Sequence, residues 1–295
     1  MLLKYLAKLI LQRLEIVMLK WGFLQNNSRH VQMLLKSYFE EMNTEKGPVD
    51  FNEIGFNVYS YTYEDGIFLY IFSQIGMTNK KIVDIGAGTF RGSSGANLII
   101  NHGFTGLLIE GNHENVKLLQ DYYSNHPETR YDPPTVIEAL VTRENINQIL
   151  EEHQYQGDVD LLCIDIDGMD YWIWQAIDVI QPRVVVIEYQ DILGPELSWA
   201  VPYSPDFNMQ HYEVNKTSGN YCGASLRAFA KLGQQKKYRL VGCNRGGWNA
   251  FFVKSDLGRD VLHTVDVDSC FKSAWNKKGM ATFFPLVKAL PWDEV

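Results

Sequence analysis

The sequence predicts an α/β fold. It is a doubly wound, mostly parallel sheet of seven strands, closed by an antiparallel terminal hairpin and preceded by N-terminal helices. Three observations carry that prediction. Apolar runs of strand length alternate with helical patterns from Lys81 to Tyr189, and near-continuous apolar strands belong to a parallel sheet covered on both faces. The first run, Lys81-Ile82-Val83-Asp84-Ile85, ends in a glycine-rich turn, Gly86-Ala87-Gly88-Thr89-Phe90-Arg91-Gly92. Near the other end, Tyr238–Cys243 and Ala250–Lys254 are joined by Asn244 to Asn249, six residues with two glycines, which suits a hairpin.

The elements follow in order. Residues 1–24 read as an amphipathic helix with Leu2, Leu6, Leu9, Ile10, Leu14, Val17, Trp21 and Leu24 on one face. Lys4, Lys8, Arg13, Glu15 and Lys20 interrupt it, so no stretch approaches the roughly 20 apolar residues of a membrane span. A secretory leader's continuous apolar centre and small-residue cleavage site are also missing. Such a helix packs on its own domain, joins subunits into a homo-oligomer, or lies on the inner face of a membrane beside a lipid-linked substrate. Ser28–Met42 is a second helix, with Val31, Leu34, Leu35, Tyr38, Phe39 and Met42 on one face, and Glu45-Lys46-Gly47-Pro48 breaks it. Phe51 to Tyr63 is irregular. Glu64-Asp65-Gly66 opens a helix through Ile75, with acids well placed in its first turn.

After the glycine turn, Ala96–Ile100 belong to a helix. Strands follow at Gly106–Glu110, Thr135–Val141, Val159–Ile166 and Arg183–Tyr189, with helices at Glu114–Tyr123, Glu144–His153 and Tyr171–Ile180 between them. Ile192–Cys222 is too long for an ordinary connection and reads as a functional lid. Ala224–Lys236 is a helix leading into the hairpin. The chain thus divides into a helical extension over 1–62, a ligand-binding domain over 63–255 with the lid inserted at 192–222, and a tail over 256–295 whose pattern assigns it nothing.

The net charge is −8, from 27 basic and 35 acidic residues, with no basic block, which argues against a nucleic-acid partner. The four cysteines, Cys163, Cys222, Cys243 and Cys270, show no metal-type spacing, the usage of a reducing cytoplasm.

The chemistry gathers at the predicted strand ends. Glycines let a backbone turn sharply and approach a ligand closely. A dinucleotide fold prefers Gly-x-Gly-x-x-Gly with phosphates on the helix N-terminus. Here the spacing is Gly86-x-Gly88-x-x-x-Gly92, and Asp84 would repel a pyrophosphate. An acid there suits a ligand bearing positive charge, such as the amino group and sulfonium of S-adenosylmethionine. Glu110, at the end of the second strand, is placed to accept both ribose hydroxyls. The expected cofactor residues are Asp84, Gly86, Gly88, Thr89, Glu110, Gly111 and Asp165.

The fourth strand ends Ile164-Asp165-Ile166-Asp167-Gly168-Met169-Asp170. Asp165 and Asp167, at i and i+2, share a face of an extended chain. Acids crowded at a sheet mouth need a cation, a hydroxyl or backbone donors. One of them serves as general base, or the acids bind Mg²⁺, with Asp165 and Glu188 at the ends of the fourth and fifth strands joined by Asp167 or Asp191. Asp170 is placed to cap the helix at Tyr171. His211, in the lid, is a candidate base because its ordinary pKa lies near neutrality. Asn244 and Asn249 either reach a polar substrate or support the hairpin turn.

Together these residues resemble the class I S-adenosylmethionine-dependent methyltransferases, and more narrowly the FkbM-like group, in a poorly characterised bacterial branch. The similarity runs from about Tyr63 to Lys254. It includes Tyr63-Glu64-Asp65-Gly66, the Asp84–Gly92 turn, Ile109-Glu110-Gly111, Val141-Thr142 with Glu144-Asn145-Ile146, Ile164-Asp165-Ile166-Asp167-Gly168 and Ile187-Glu188-Tyr189. It continues through Val201-Pro202-Tyr203, Tyr221-Cys222-Gly223-Ala224-Ser225-Leu226 and Val241-Gly242-Cys243-Asn244. Where many relatives show Asp-x-Glu-Gly, this chain has Asp165-x-Asp167-Gly168, similar to the acids of metal-dependent macrolide-sugar O-methyltransferases. The resemblance implies a Rossmann-like methyltransferase that methylates a hydroxyl on a sugar, glycan or natural-product intermediate. Two rivals are an NAD-dependent oxidoreductase or epimerase, which Glu110 fits and Asp84 does not, and a cofactor-binding scaffold without catalysis.

Overall fold

The computed structural model describes residues 28–41, 49–212 and 220–295. The amphipathic helix expected over 1–24 therefore lies outside the described residues. Nine strands are described: β1 (Lys81–Ile85), β2 (Thr105–Glu110), β3 (Thr135–Glu138), β4 (Gly157–Ile164), β5 (Ile180–Glu188), β6 (Trp199–Ala200), β7 (Tyr238–Cys243), β8 (Asn249–Lys254) and β9 (Asp293–Glu294). The described helices are α1 (Ser28–Glu41), α2 (Phe51–Ile54), α3 (Glu64–Ile75), α4 (Ala96–His102), α5 (His113–Asn125), α6 (Ile146–Glu152), α7 (Asp170–Ala176), α8 (Leu226–Gln235), α9 (Ala274–Thr282) and α10 (Phe284–Val287).

Seven strands form one sheet in the order β3-β2-β1-β4-β5-β8-β7. β1 to β5 pair in parallel, and β8 inserts antiparallel between β5 and β7. The expected α/β fold with a closing antiparallel hairpin is the fold observed. Strand alternation sends Val83, Ile85, Leu162, Ile164, Val185 and Ile187 to one face, against Trp174 and Phe229. Ile82, Leu161, Cys163, Val184 and Val186 face the other side, against Phe68 and Phe251. α3 is apolar nearly all round and is buried from Glu64 to Phe72, as such a helix must be.

Register decides where the site lies. Ile85 pairs with Ile109 of β2 and with Ile164 of β4, and Ile164 pairs with Ile187 of β5. The next residue on each strand is Gly86, Glu110, Asp165 and Glu188, so all four line one carboxyl edge. The sheet order reverses between β1 and β4, the crevice where open α/β sheets bind ligands.

Several boundaries differ from expectation. β5 starts at Ile180, so Pro182 lies inside a strand. Its neighbour β8 pairs only from Val184 onward, and the missing N–H leaves that side of the ladder intact. β4 stops at Ile164, which leaves both Asp165 and Asp167 in a turn. On α1, Phe39 and Leu35 of the expected apolar face pack on the core beside α3, but Leu34 and Tyr38 are exposed and Gln32 is buried in their stead. Both flanks of the 192–222 segment are fastened. Val201 N–H donates to Gly223 O at 3.0 Å, Trp172 Nε1 donates to Val201 O at 2.8 Å, and β6 pairs with β9 of the tail.

Candidate functional site

The glycine turn leaves β1 and doubles back on β2, with Gly86 and Ala87 N–H both donating to Ile109 O, at 2.9 and 3.1 Å. Gly86 has φ +80°, and a Cβ there would lie 1.8 Å from the Asp165 carbonyl oxygen. The chain's own β4 exit therefore requires a glycine here. Gly88 (φ +60°) is different. Its Cβ would meet little, but its N–H donates to Glu110 Oε2 at 2.7 Å. Asn112 N–H donates to Glu110 Oε1, also at 2.7 Å. Glu110 therefore braces the turn, and each of its oxygens keeps a lone pair for a further donor.

Asp84 is buried, with Ser93 Oγ donating to its Oδ2 at 3.0 Å. Burial pushes its pKa up to about 6; the Ser93 bond opposes the shift and Glu110 adds to it. A cleft of about 240 Å³ opens beside it, bounded by the Gly86–Ser94 turn, Tyr61, Asp165 and Asn249. Asp84, Gly86, Gly88, Thr89 and Asp165 all line this cleft. Glu110 lies behind the turn, and Gly111 sits against Leu140.

From Asp165 in the wall of this cleft the acids continue toward β5, and oxygens of Asp165, Asp167 and Glu188 lie within 4.8 Å of one another. The sequence reached the pair Asp165 and Asp167 by strand alternation, but the structure joins them otherwise. Asp167 sits in a left-handed turn (φ +56°), an uncommon conformation for a residue with a side chain. Asp170 holds that turn: its carboxylate accepts from Ile166 N–H at 2.9 Å and Gly168 N–H at 3.0 Å. It is thus a clamp on the acidic turn and not the expected helix cap, since the cap position falls on Met169.

Solvent reaches Asp165 and Asp167 from the cleft mouth, while protein encloses the three carboxylates on their other sides. That enclosure, then the charges of Asp170 and Asp167, push Asp165 up to about 8. Burial and the Asp165 charge also raise Glu188, and burial raises Asp167. Without a cation the trio retains a proton. Three carboxylate donors at this spacing are a hard-cation donor set.

A second cleft of about 200 Å³ adjoins the trio, with Asp167 and Glu188 in its wall. Its other walls include Asp191, Trp248 and, from the tail, Trp275 and Phe283. A further cavity of about 450 Å³ lies around Cys243, Arg245 and Lys272, and none of Asp165, Asp167 and Glu188 lines it.

The structure does not bring His211 to these acids. It lies on an exposed 3-10 turn, Met209–Tyr212, and lines neither cleft. Asn244 supports the hairpin. Its Oδ1 accepts from the N–H groups of Gly247, Trp248 and Asn249, and its Nδ2 donates to Glu64 Oε1 at 2.7 Å. Asn249 also donates to Glu64, at 3.0 Å, while bordering the first cleft. Sequence reasoning missed Ser93 and Trp275, and the structure puts Asp191, an alternative third ligand in the sequence reading, in the wall of the second cleft, outside the close trio. A serine after a glycine turn and an aromatic in an unpatterned tail carry no periodic signal.

No protein-family model matches the chain, and no curated protein is detectably similar to it in sequence. Among solved structures it aligns with an O-methyltransferase from Bacillus cereus in complex with SAH, at 13% identity over 77% of this chain and 90% of that one, with a TM-score of 0.42. It aligns with an O-methyltransferase family protein from Burkholderia thailandensis at 11% identity and a TM-score of 0.41. That match covers 77% of this chain and 56% of the Burkholderia one. It also aligns with the methyltransferase domain of the bacterial protein CtHen1-C, at 13% identity over 64% of this chain and 95% of that one, with a TM-score of 0.41. Likeness at this level carries no argument about activity, which is left to the geometry. Among the described residues no helix is long and apolar enough to cross a membrane.

Proposed function

We propose that the chain is an S-adenosylmethionine-dependent O-methyltransferase of the FkbM-like group, acting on a hydroxyl of a sugar, glycan or natural-product intermediate. One observation carries the reading. Asp84 and Glu110 bracket the glycine turn at the sheet's reversal point, and Asp165, in the wall of the cleft beside Asp84, joins it to the acidic trio. Asp84 receives the cofactor's cationic methionine end. The lone pairs left on Glu110 take the ribose hydroxyls. Asp165, in the wall of the first cleft and in contact range of Asp167 and Glu188 in the wall of the second, would then stand between cofactor and acceptor.

Transfer from a sulfonium breaks the S–CH₃ bond and forms the O–CH₃ bond in one displacement, so positioning dominates the barrier. The acceptor oxygen must also lose its proton. Asp165, Asp167 and Glu188 would hold a divalent cation such as Mg²⁺, which lowers the pKa of a bound hydroxyl and orients it. Asp170 keeps Asp167 in its left-handed turn, and Ser93 keeps Asp84 aimed into the cleft. The NAD reading is not favoured, because a pyrophosphate beside buried Asp84 meets a like charge, with Arg91 the one cation in the cleft wall among the described residues.

Calorimetry with S-adenosylhomocysteine and with NAD decides between the two. Binding of the former and not the latter is expected, and the reverse overturns the proposal.

A further inference from the structure

One wall of the second cleft, Trp275, Gly279 and Phe283, comes from the tail, outside the methyltransferase resemblance. Helix α9 is pinned to the exit of β5 by Asn276, which is fully buried. Its Nδ2 donates to Asp191 Oδ2 at 3.1 Å and to Gly247 O at 3.0 Å. Gly279 allows the close fit, since a Cβ there would lie 3.3 Å from Ile192 and 3.4 Å from Asp191. The helix is thereby fixed with Trp275 at the cleft, 6.0 Å from Trp248 and edge-on to it. Trp275 is 54% exposed despite its size. An indole held rigid at a cavity wall with an open face is a stacking platform. At about 200 Å³ the cleft is smaller than the roughly 300–1,000 Å³ of sites for drug-sized ligands, so it holds a single ring.

Its charge is one-sided. Asp167, Glu188 and Asp191 line it, and no lysine, arginine or histidine does among the described residues. Even with one Mg²⁺ on the trio, the four carboxylates of Asp165, Asp167, Glu188 and Asp191 outnumber the ion's two charges, so a ring bearing phosphate or carboxylate would lose its hydration and meet net like charge there. Hydroxyl and ammonium groups would instead donate to the carboxylates.

We propose that this cleft is the acceptor subsite and that it selects an uncharged or amino-bearing polyhydroxylated ring, stacked on Trp275, against rings carrying an anionic substituent. The proposal rests on the methyltransferase reading, and its test separates the two. The full chain, saturated with S-adenosylhomocysteine and Mg²⁺, is titrated with methyl hexosides, glucosamine, glucuronate and glucose 6-phosphate, following tryptophan fluorescence.

Neutral and amino sugars are expected to perturb the emission saturably, and the two anionic sugars are not. Trp275→Ala should weaken that binding roughly tenfold or more, with S-adenosylhomocysteine affinity unchanged. Asp191→Asn should begin to admit glucuronate. The inference is overturned if the anionic sugars bind as well as the neutral ones, if no neutral or amino sugar binds, or if Trp275→Ala leaves their binding intact. Failure of the wild-type chain to bind S-adenosylhomocysteine would overturn the cofactor reading itself.

Discussion

Asp84 illustrates how one residue links packing to chemistry. Burial raises its pKa from the ordinary 3.8 to about 6, so the folded chain holds a proton that the unfolded chain releases between those values. Its contribution to stability therefore falls as pH rises from about 4 to 6 and is level above. Asp84→Asn should flatten that part of the stability profile relative to wild type, as read by denaturant unfolding at each pH. Because a cationic ligand needs the ionised form, S-adenosylhomocysteine affinity should climb with pH through about 6 and then level. Asp84→Asn should remove that climb; a climb persisting in the variant would detach the ligand from Asp84. Asp84→Ala and Glu110→Ala should each weaken S-adenosylhomocysteine by about tenfold to a hundredfold, the loss of one charge-assisted partner. The acidic trio makes a separate demand. Turnover should fall in chelator and return with Mg²⁺, whereas full activity in chelator would leave the carboxylates as simple bases.

Among the elements, the turn after β4 and the hairpin between β7 and β8 are both organised by a single polar side chain. Asn244 accepts three backbone N–H groups and ties the hairpin to Glu64 at the start of α3. Asn244→Ala would strand the Trp248 and Asn249 N–H groups and take one donor from Glu64, which keeps Asn249 and Thr62, while Gly247 N–H keeps the Asn244 carbonyl. We expect a loss of about 3 kcal/mol in urea unfolding, since each unsatisfied buried group costs about 1–3 kcal/mol. A loss below 1 kcal/mol would mean that the turn holds itself. The hairpin was legible because a six-residue glycine-bearing link between two apolar runs has few alternatives. That Asn244 supports the turn was not, since an amide at a turn serves substrate or backbone equally well until its partners are known. The acidic turn was misread in its geometry for a similar reason. Asp165 and Asp167 do meet, but through a left-handed residue and the Asp170 clamp, and neither follows from a period-2 pattern.

Across the whole molecule, the tail fastens the segment after β5. Trp292 packs on Tyr221 at 4.8 Å and on Trp199 at 6.0 Å, and β9 pairs with β6. Deleting residues 284–295 should lower the melting temperature and abolish acceptor-dependent turnover while S-adenosylhomocysteine still binds, because none of those residues lines the first cleft. Unchanged turnover would show that the 192–222 segment needs no fastening. For residues 1–24 we propose a role in joining subunits. Their deletion should lower the mass seen by light scattering; a loss of sedimentation with anionic vesicles instead would assign them to a membrane surface.

The sequence by itself determined the α/β class, the parallel run from β1 to β5, the closing hairpin, and the placement of Asp84, Glu110, Asp165 and Glu188 at strand ends. These follow from local period and turn chemistry, which act over a few residues. Only the tertiary structure decided that β8 enters between β5 and β7, that Gly86 yields to the Asp165 carbonyl, that His211 stays out at the surface, and that the tail walls the second cleft. Each of those depends on contacts between residues far apart in the chain, and no local pattern encodes the partner.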